Sequence, residues 1–146
     1  MIAYLDTSAF VKLMLDEEGS TVADELWSSA DVVVTSQLTY AEARAAVASA
    51  VRQGRLTRSR SANVVDELDA AWQEVAAADV DGVISQLAGS LAERHALRGA
   101  DAVHLATGLR SRSDDMVFVT WDRRLARGAQ AAGFVVVPEL PDQPVA

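Results

Sequence analysis

Ile2-Ala3-Tyr4-Leu5-Asp6-Thr7-Ser8, residues 2–8, is the stretch that decides the fold. Its first four residues form the continuous apolar run that is typical of a parallel strand buried on both faces. A carboxylate, Asp6, follows that run at once. A second apolar run, Met116–Val119, is followed by Asp122 after a threonine and a tryptophan. The two runs therefore predict two buried strands, each ending close to an acidic residue.

Segments typical of strands and of helices alternate along the rest of the chain. Five strands are predicted, within residues 2–5, 32–34, 73–78, 116–119 and 134–137. Helices are predicted between them, with Thr7 or Ser8 capping the first and Ser20 capping the second. Residues 55–61 are expected to form a polar turn before the fourth helix. This alternation indicates an α/β protein with a parallel sheet covered on both faces, in which sites form at the carboxyl ends of the strands.

The composition fits one domain of ordinary size. The chain has 146 residues, half of them apolar, and we expect a domain over residues 1–138 followed by a flexible tail over 139–146. There is no apolar run of about 18 residues and no signal-peptide pattern, so a cytoplasmic protein without a membrane span is expected. The net charge of −8 argues against a nucleic-acid coat protein. The absence of cysteine excludes disulfides and thiolate metal sites.

Four acidic residues are the candidates for chemistry: Asp6, Glu42, Asp101 and Asp122. Two follow predicted strands and two lie near the starts of helical patterns, so the fold would gather them at one end of the sheet. Clustered carboxylates repel one another and raise each other's pKa. Divalent cations that prefer oxygen ligands relieve this repulsion, which predicts a site for Mg²⁺ or Mn²⁺. Taken singly, each acid is explained as well by the helix dipole or by simple solvation.

The sequence lacks the residues that three other classes of α/β protein require. A receiver domain needs a lysine near the last strands, and Lys12 is the only lysine. A haloacid dehalogenase-type phosphatase needs Asp-x-Asp, where this chain has Asp6-Thr7-Ser8. A nucleotide-binding domain needs a glycine-rich loop after the first strand, and this chain has none there.

Four motifs, in this order, resemble those of PIN domains. They are Leu5-Asp6-Thr7-Ser8, Thr39-Tyr40-Ala41-Glu42, Arg98-Gly99-Ala100-Asp101-Ala102-Val103-His104-Leu105-Ala106 and Val119-Thr120-Trp121-Asp122. The set is similar to the VapC-type toxins of bacterial toxin–antitoxin pairs. The resemblance implies a three-layer α/β/α domain with strand order 3-2-1-4-5. It also implies a Mg²⁺- or Mn²⁺-dependent endoribonuclease that cuts tRNA or ribosomal RNA, arrests translation and is blocked by a VapB-type antitoxin.

These motifs suggest a role for each candidate. We expect Asp6 and Asp101 to be the main metal ligands, and Asp122 to hold the metal directly or through water. Glu42 would bind a second metal or orient the attacking water. Ser8 and Thr120 are expected to hydrogen-bond the carboxylates or metal-bound waters. His104 and Trp121 are left open, as a structural histidine or a group near the site and as a core residue or a platform for RNA bases.

Two further expectations concern partners. Residues 52–60 contain four arginines, and Arg55 and Arg58 are predicted to attract RNA phosphates, although a solvated turn is an equal alternative. The alanine-rich helix over residues 41–51 would allow close approach of another helix, so a homodimer is expected. The alternative to an enzyme is a PIN-fold protein that only binds RNA or its antitoxin, and the four intact carboxylates argue against it.

Overall fold

One five-stranded sheet organises the computed structural model, which describes residues 1–141. The strand order is β3-β2-β1-β4-β5 and every pairing is parallel. The strands are β1 Ile2–Leu5, β2 Val32–Ser36, β3 Ala76–Ala78, β4 Met116–Val119 and β5 Val135–Val137. The predicted α/β class, the five strands and their order are therefore confirmed.

Seven helices lie among these 141 residues and cover both faces of the sheet. They are α1 Thr7–Met14, α2 Ser20–Ser29, α3 Leu38–Arg52, α4 Arg58–Trp72, α5 Gly82–His95, α6 Gly99–Arg110 and α7 Arg123–Ala131. In the part of the chain described here, no helix combines the length and the apolar character needed to cross a membrane.

Strand β1 divides the core because its side chains alternate between the two faces. Tyr4 packs with residues of α5, α6 and α7, whereas Ala3 and Leu5 pack on the opposite side with Ala9. A further apolar cluster joins α1, α3 and α4. Large side chains that are fully buried, such as Tyr4, each contribute about 1.5–3 kcal/mol of hydrophobic stabilisation. The middle strand is thus fixed from both sides, and so is the residue that follows it.

The structure corrects two predicted helix caps. Asp6, rather than Thr7 or Ser8, caps α1, because its backbone is extended and its side chain accepts a hydrogen bond from the Ala9 amide at 2.9 Å. Gly19, with φ of 92°, occupies the cap position of α2. Ser20 is instead the first residue of that helix, and its hydroxyl donates to the Leu15 carbonyl at 2.8 Å.

Two segment boundaries also differ from prediction. Helix α4 begins at Arg58, inside the predicted polar turn, because Thr57 accepts a hydrogen bond from the Arg60 amide and so caps it. Strand β2 extends past residue 34 to Ser36, because Thr35 and Ser36 pair with Ala77 and Ala78 of β3. The Thr35 hydroxyl is satisfied by donating to the Leu5 carbonyl.

The predicted flexible tail begins at residue 139. Leu140 packs against the core cluster that contains Tyr4. Leu140 and Pro141 also line a groove together with residues of α7. Residues 142–146 lie outside the described part of the chain, so flexibility of this segment stays a prediction.

Candidate active site

The carboxyl ends of β1 and β4 bring two of the predicted acids together. Leu5 and Val119 are partners in the parallel register, so the residues that follow them are neighbours. The Thr120 hydroxyl donates to Asp6 Oδ2 at 2.6 Å and accepts from the Asp122 amide at 3.0 Å. Thr120 therefore connects the two acidic loops across 114 residues of sequence, as expected for a residue that supports the carboxylates.

Asp6 is held almost completely away from solvent, with 3 % of its surface exposed. Its carboxylate accepts hydrogen bonds from the Ser8 hydroxyl at 2.7 and 2.9 Å, in addition to those from Ala9 and Thr120. All of these donors are neutral, and within residues 1–141 no cationic side chain lies within ion-pair distance of it. Burial therefore raises the pKa of Asp6 above its ordinary value. Asp6 is therefore a rigid carboxyl group with no cationic partner within ion-pair distance.

Glu42 reaches the same region from the second turn of α3. Its Oε1 accepts from the Thr7 hydroxyl at 2.6 Å and lies 3.0 Å from His104 Nε2. Partial burial alone would raise the pKa of Glu42, but the bonds from His104 and Thr7 outweigh that effect and lower it. Glu42 is therefore ionised at neutral pH and fixed in position.

His104 is a member of this network that the sequence left open. Its ring is 3 % exposed, and Nδ1 lies 2.9 Å from the hydroxyl of the fully buried Tyr4. Burial raises the pKa of Tyr4 well above its ordinary value, so Tyr4 keeps its proton and donates it to Nδ1. Both neighbours of Nε2, Glu42 and the Thr7 oxygen, then act as acceptors. In this arrangement Nδ1 accepts from Tyr4, and Nε2 carries a proton that faces Glu42.

Asp101 and Asp122 share a cationic partner, Arg98, which the sequence did not single out. Arg98 Nε donates to Asp101 Oδ2 and Nη2 donates to Asp122 Oδ2, each at 3.0 Å. Asp122 Oδ1 also caps α7 by accepting from the Leu125 amide at 2.8 Å. Arg98 occupies the cap position of α6, three residues before Asp101, and this short spacing was the available signal.

The donor set suits a hard divalent cation. Hydrogen bonds link Asp6, Asp122 and Asp101 through Thr120 and Arg98, and Glu42 is held beside them by Thr7, the residue that follows Asp6. Oxygen ligands are those that Mg²⁺ and Mn²⁺ prefer. Within residues 1–141, however, no three acidic or histidine side chains converge as a ready metal-binding cluster. The residue types fit the cation, and withdrawal of Arg98 would free two of the four groups to approach it.

Trp121 is a packing residue in this structure. Lys12 Nζ lies 5.1 Å from the centre of its ring. Gly19 approaches the indole so closely that a Cβ built there would lie 2.7 Å from Nε1. The side chain also packs against the cluster containing Leu5 and Val119. These packing contacts are enough to explain a tryptophan at this position, without an RNA base stacked on its ring.

The arginines of residues 52–60 lie away from the carboxylates. Arg52 ends α3, about 15 Å along the helix axis from Glu42. Arg60 pairs with Glu67 at 3.2 Å, and Arg55 donates to Gln53. Contact between RNA and Arg55 or Arg58 stays a prediction, and it requires a substrate that extends well beyond the cluster.

Comparisons of sequence agree with this arrangement. Residues 3–131 match the PIN domain family. The chain is 44% identical over 141 residues to Ribonuclease VapC45 of Mycobacterium tuberculosis, a match that covers 97% of this chain and 98% of the relative.

Solved structures share the fold at lower identity. The toxin VapC20 of Mycobacterium tuberculosis, which cleaves the Sarcin-Ricin loop, superposes with a TM-score of 0.66 at 21% identity, covering 91% of this chain and 96% of that one. A toxin–antitoxin complex from Klebsiella pneumoniae gives 0.62 at 18% identity, covering 93% and 96%. With five parallel strands in the same order and a family match over most of its length, the chain belongs to the PIN domain family and is a VapC-type member of it.

Proposed function

We propose that this protein is a metal-dependent endoribonuclease and the toxin of a toxin–antitoxin pair. The observation that carries the proposal is the hydrogen-bonded set of Asp6, Asp101 and Asp122 at the carboxyl edge of β1 and β4, with Glu42 held beside it, in a chain 44% identical to a named ribonuclease. The substrate is RNA, in the form of tRNA or ribosomal RNA, and its cleavage inhibits translation. Such a substrate implies action in the cytoplasm.

Asp6 and Asp101 would hold Mg²⁺ or Mn²⁺, with Asp122 beside them. When bound, the cation supplies an activated water and shields charge on the phosphoryl oxygens. The contribution of Asp6 is rigidity, because Ser8 and Thr120 fix both of its oxygens. A ligand fixed in advance loses little conformational freedom on binding.

Glu42 acts on the attacking water. It is ionised and oriented by Thr7 and His104, so its free oxygen can accept a hydrogen bond from water. Arg98, once released from Asp101 and Asp122, carries a planar guanidinium suited to a phosphate group. Together these residues would hold the scissile phosphate beside the cation, with Glu42 as the general base for the attacking water.

The proposed partners include a VapB-type antitoxin and a second copy of the chain. The antitoxin partner is supported by similarity to the Klebsiella pneumoniae complex. Dimerisation is supported by α3, whose Ala41, Ala45 and Ala48 are exposed and small enough for another helix to approach. A particle of monomer mass in solution scattering at micromolar concentrations would contradict the dimer.

Cleavage assays on two variants test the proposal. Asp6→Asn and Asp101→Asn keep the side-chain shape but remove charge that the metal needs, and each is expected to abolish RNA cleavage in Mg²⁺ with the circular dichroism spectrum unchanged. Asp24→Asn on the exposed face of α2 is the charge-matched control and should cleave normally. Wild-type rates in either site variant would refute the ligand roles. A wild-type protein that binds RNA but never cuts it would favour the alternative, a catalytically silent binding module.

A further inference from the structure

A basic surface adjoins the candidate active site, and apart from Arg98 its arginines have no part in the roles described so far. An open groove of about 570 Å³ runs along the start of α7. It is lined by Arg98, Trp121, Asp122, Arg123, Arg124 and Arg127. We call the four arginines of this groove the α7 basic surface. They concentrate positive charge in a chain whose net charge is −8.

Folding alone does not explain these arginines. Arg123 and Arg124 stand in the first turn of α7, where the helix dipole disfavours positive charge. Arg123 and Arg127 are four residues apart on one helix face, a spacing at which like charges repel. Among residues 1–141, none of these three arginines pairs with an acidic side chain. The arrangement weakens the helix and leaves three guanidinium groups available to an anion.

The position of the surface indicates which anion it receives. Asp122 lines the groove, and Arg98 extends from it to contact Asp101, so the groove opens directly onto the candidate catalytic carboxylates. A second groove of about 310 Å³ continues along α7 past Arg123 and Arg127, with Glu139 in its wall. A polyanion that follows the basic groove is therefore led to the site of reaction.

We infer that the α7 basic surface binds the phosphodiester backbone of the RNA strand on one side of the scissile bond. This inference rests on the proposed ribonuclease function. Arginine forks match phosphate oxygens in pairs. Contacts of this kind position a strand without reading its sequence. The surface supplies, next to the candidate active site, the electrostatic attraction that an acidic protein needs for an anionic substrate.

Fluorescence anisotropy with a labelled single-stranded RNA 12-mer in EDTA tests the inference. The double variant Arg124→Gln/Arg127→Gln removes two exposed arginines. Arg110→Gln/Arg112→Gln, at the far end of α6 from Asp101, is the control with the same change in net charge. Each phosphate contact on a single strand contributes about 0.7 to the slope of log affinity against log salt. Loss of two contacts in the α7 variant is expected to lower the slope by about 1.4. Over the tenfold range from 1 M salt, where such contacts contribute little, to 0.1 M salt, this corresponds to binding that is roughly 25-fold weaker. The control is expected to change neither.

Equal losses in both variants would refute the inference, because net charge alone would then explain them. An unchanged slope in the α7 variant would refute it as well and would assign the surface to an acidic protein partner. Hydrolysis of bis(p-nitrophenyl) phosphate separates this outcome from failure of the proposed function, since so small a diester does not reach α7. Retained hydrolysis with weakened RNA binding supports the inference. If the wild type hydrolyses neither RNA nor the small diester, the proposed nuclease function is wrong. Weakened RNA binding by the α7 variant would still support the α7 basic surface as an RNA-binding site.

Discussion

Removing the imidazole of His104 should destabilise the fold, and its buried hydrogen bond with Tyr4 is the contribution that can be isolated. Tyr4 is fully buried, His104 is 3 % exposed, and the two are joined at 2.9 Å. In His104→Leu, the Tyr4 hydroxyl stays buried without this acceptor, which costs about 1–3 kcal/mol. For a domain of this size, 1 kcal/mol corresponds to roughly 3 °C in Tm. The expected loss is therefore about 3–9 °C.

A double-mutant cycle separates the hydrogen bond from packing. Tyr4→Phe alone leaves the Nδ1 atom of His104 without its donor, whereas Tyr4→Phe/His104→Leu removes both polar partners at once. Replacing both partners by apolar groups is close to neutral for the bond itself, so the double variant should lose about 1–2 kcal/mol less than the sum of the single variants. The free energies of unfolding would be measured by urea titration at pH 7 in EDTA.

A surface tyrosine supplies the matched control for this cycle. Tyr40 hydrogen-bonds Asp69 at 2.7 Å on an exposed face, so Tyr40→Phe removes the same hydroxyl without leaving a buried orphan. Its effect should stay within about 0.5 kcal/mol. Additive losses within about 0.5 kcal/mol in the Tyr4 and His104 cycle would show that the pair contributes only packing, and the tautomer inferred for His104 would lose its basis.

Three other perturbations follow from the structure. Burial raises the folded-state pKa of Asp6, so wild-type stability in EDTA should fall as pH rises from the unfolded value through the folded one. Asp6→Asn has no carboxyl group to ionise, so its urea midpoint should exceed that of the wild type at pH 7 and match it near pH 3. A difference in midpoint that does not change with pH would contradict the raised pKa of Asp6. Arg98→Gln should bind Mn²⁺ more tightly in calorimetry because a competing cation is gone; weaker binding would mean that Arg98 assists the metal. Gly19→Ala should lower Tm, since φ is +92° and the new Cβ would lie 2.7 Å from the indole nitrogen of Trp121. Gly89→Ala, at an exposed helix position with open space around it, should raise Tm. Equal shifts in the two variants would argue against the clash.

Local pattern was sufficient to predict the sheet and the residues at its edge. The runs at Ile2–Leu5 and Met116–Val119 are apolar throughout because both faces of a central parallel strand are buried. The same position in the sheet makes Asp6 a site residue by geometry, since the next residue after a central strand emerges at its carboxyl end. The cap of α1 was less predictable, because Asp6, Thr7 and Ser8 are all residue types that cap helices. The cap is the residue whose backbone is still extended, which is Asp6.

Long-range partners could not be predicted from pattern. His104 meets Tyr4 across 100 residues and Glu42 across 62, and neither contact leaves a periodic signal. Arg98 was visible as a residue but its contact with Asp122 depends on how α6 and α7 meet. The bound metal, the RNA contacts at Arg55 and Arg58 and the homodimer stay predictions.

The hydrogen bond from Thr120 to Asp6 determines when the site can assemble while the chain is being synthesised. The two residues are 114 positions apart, so the first strand leaves the ribosome long before its partner strand exists. Contacts of such long range form only after the intervening chain has closed the loop between them. A prematurely terminated product that lacks Thr120 and Asp122 therefore cannot assemble the carboxylate edge. Unfinished chains are therefore expected to lack the proposed nuclease activity, which would begin only with nearly complete molecules, at the stage when the proposed antitoxin has a whole surface to recognise.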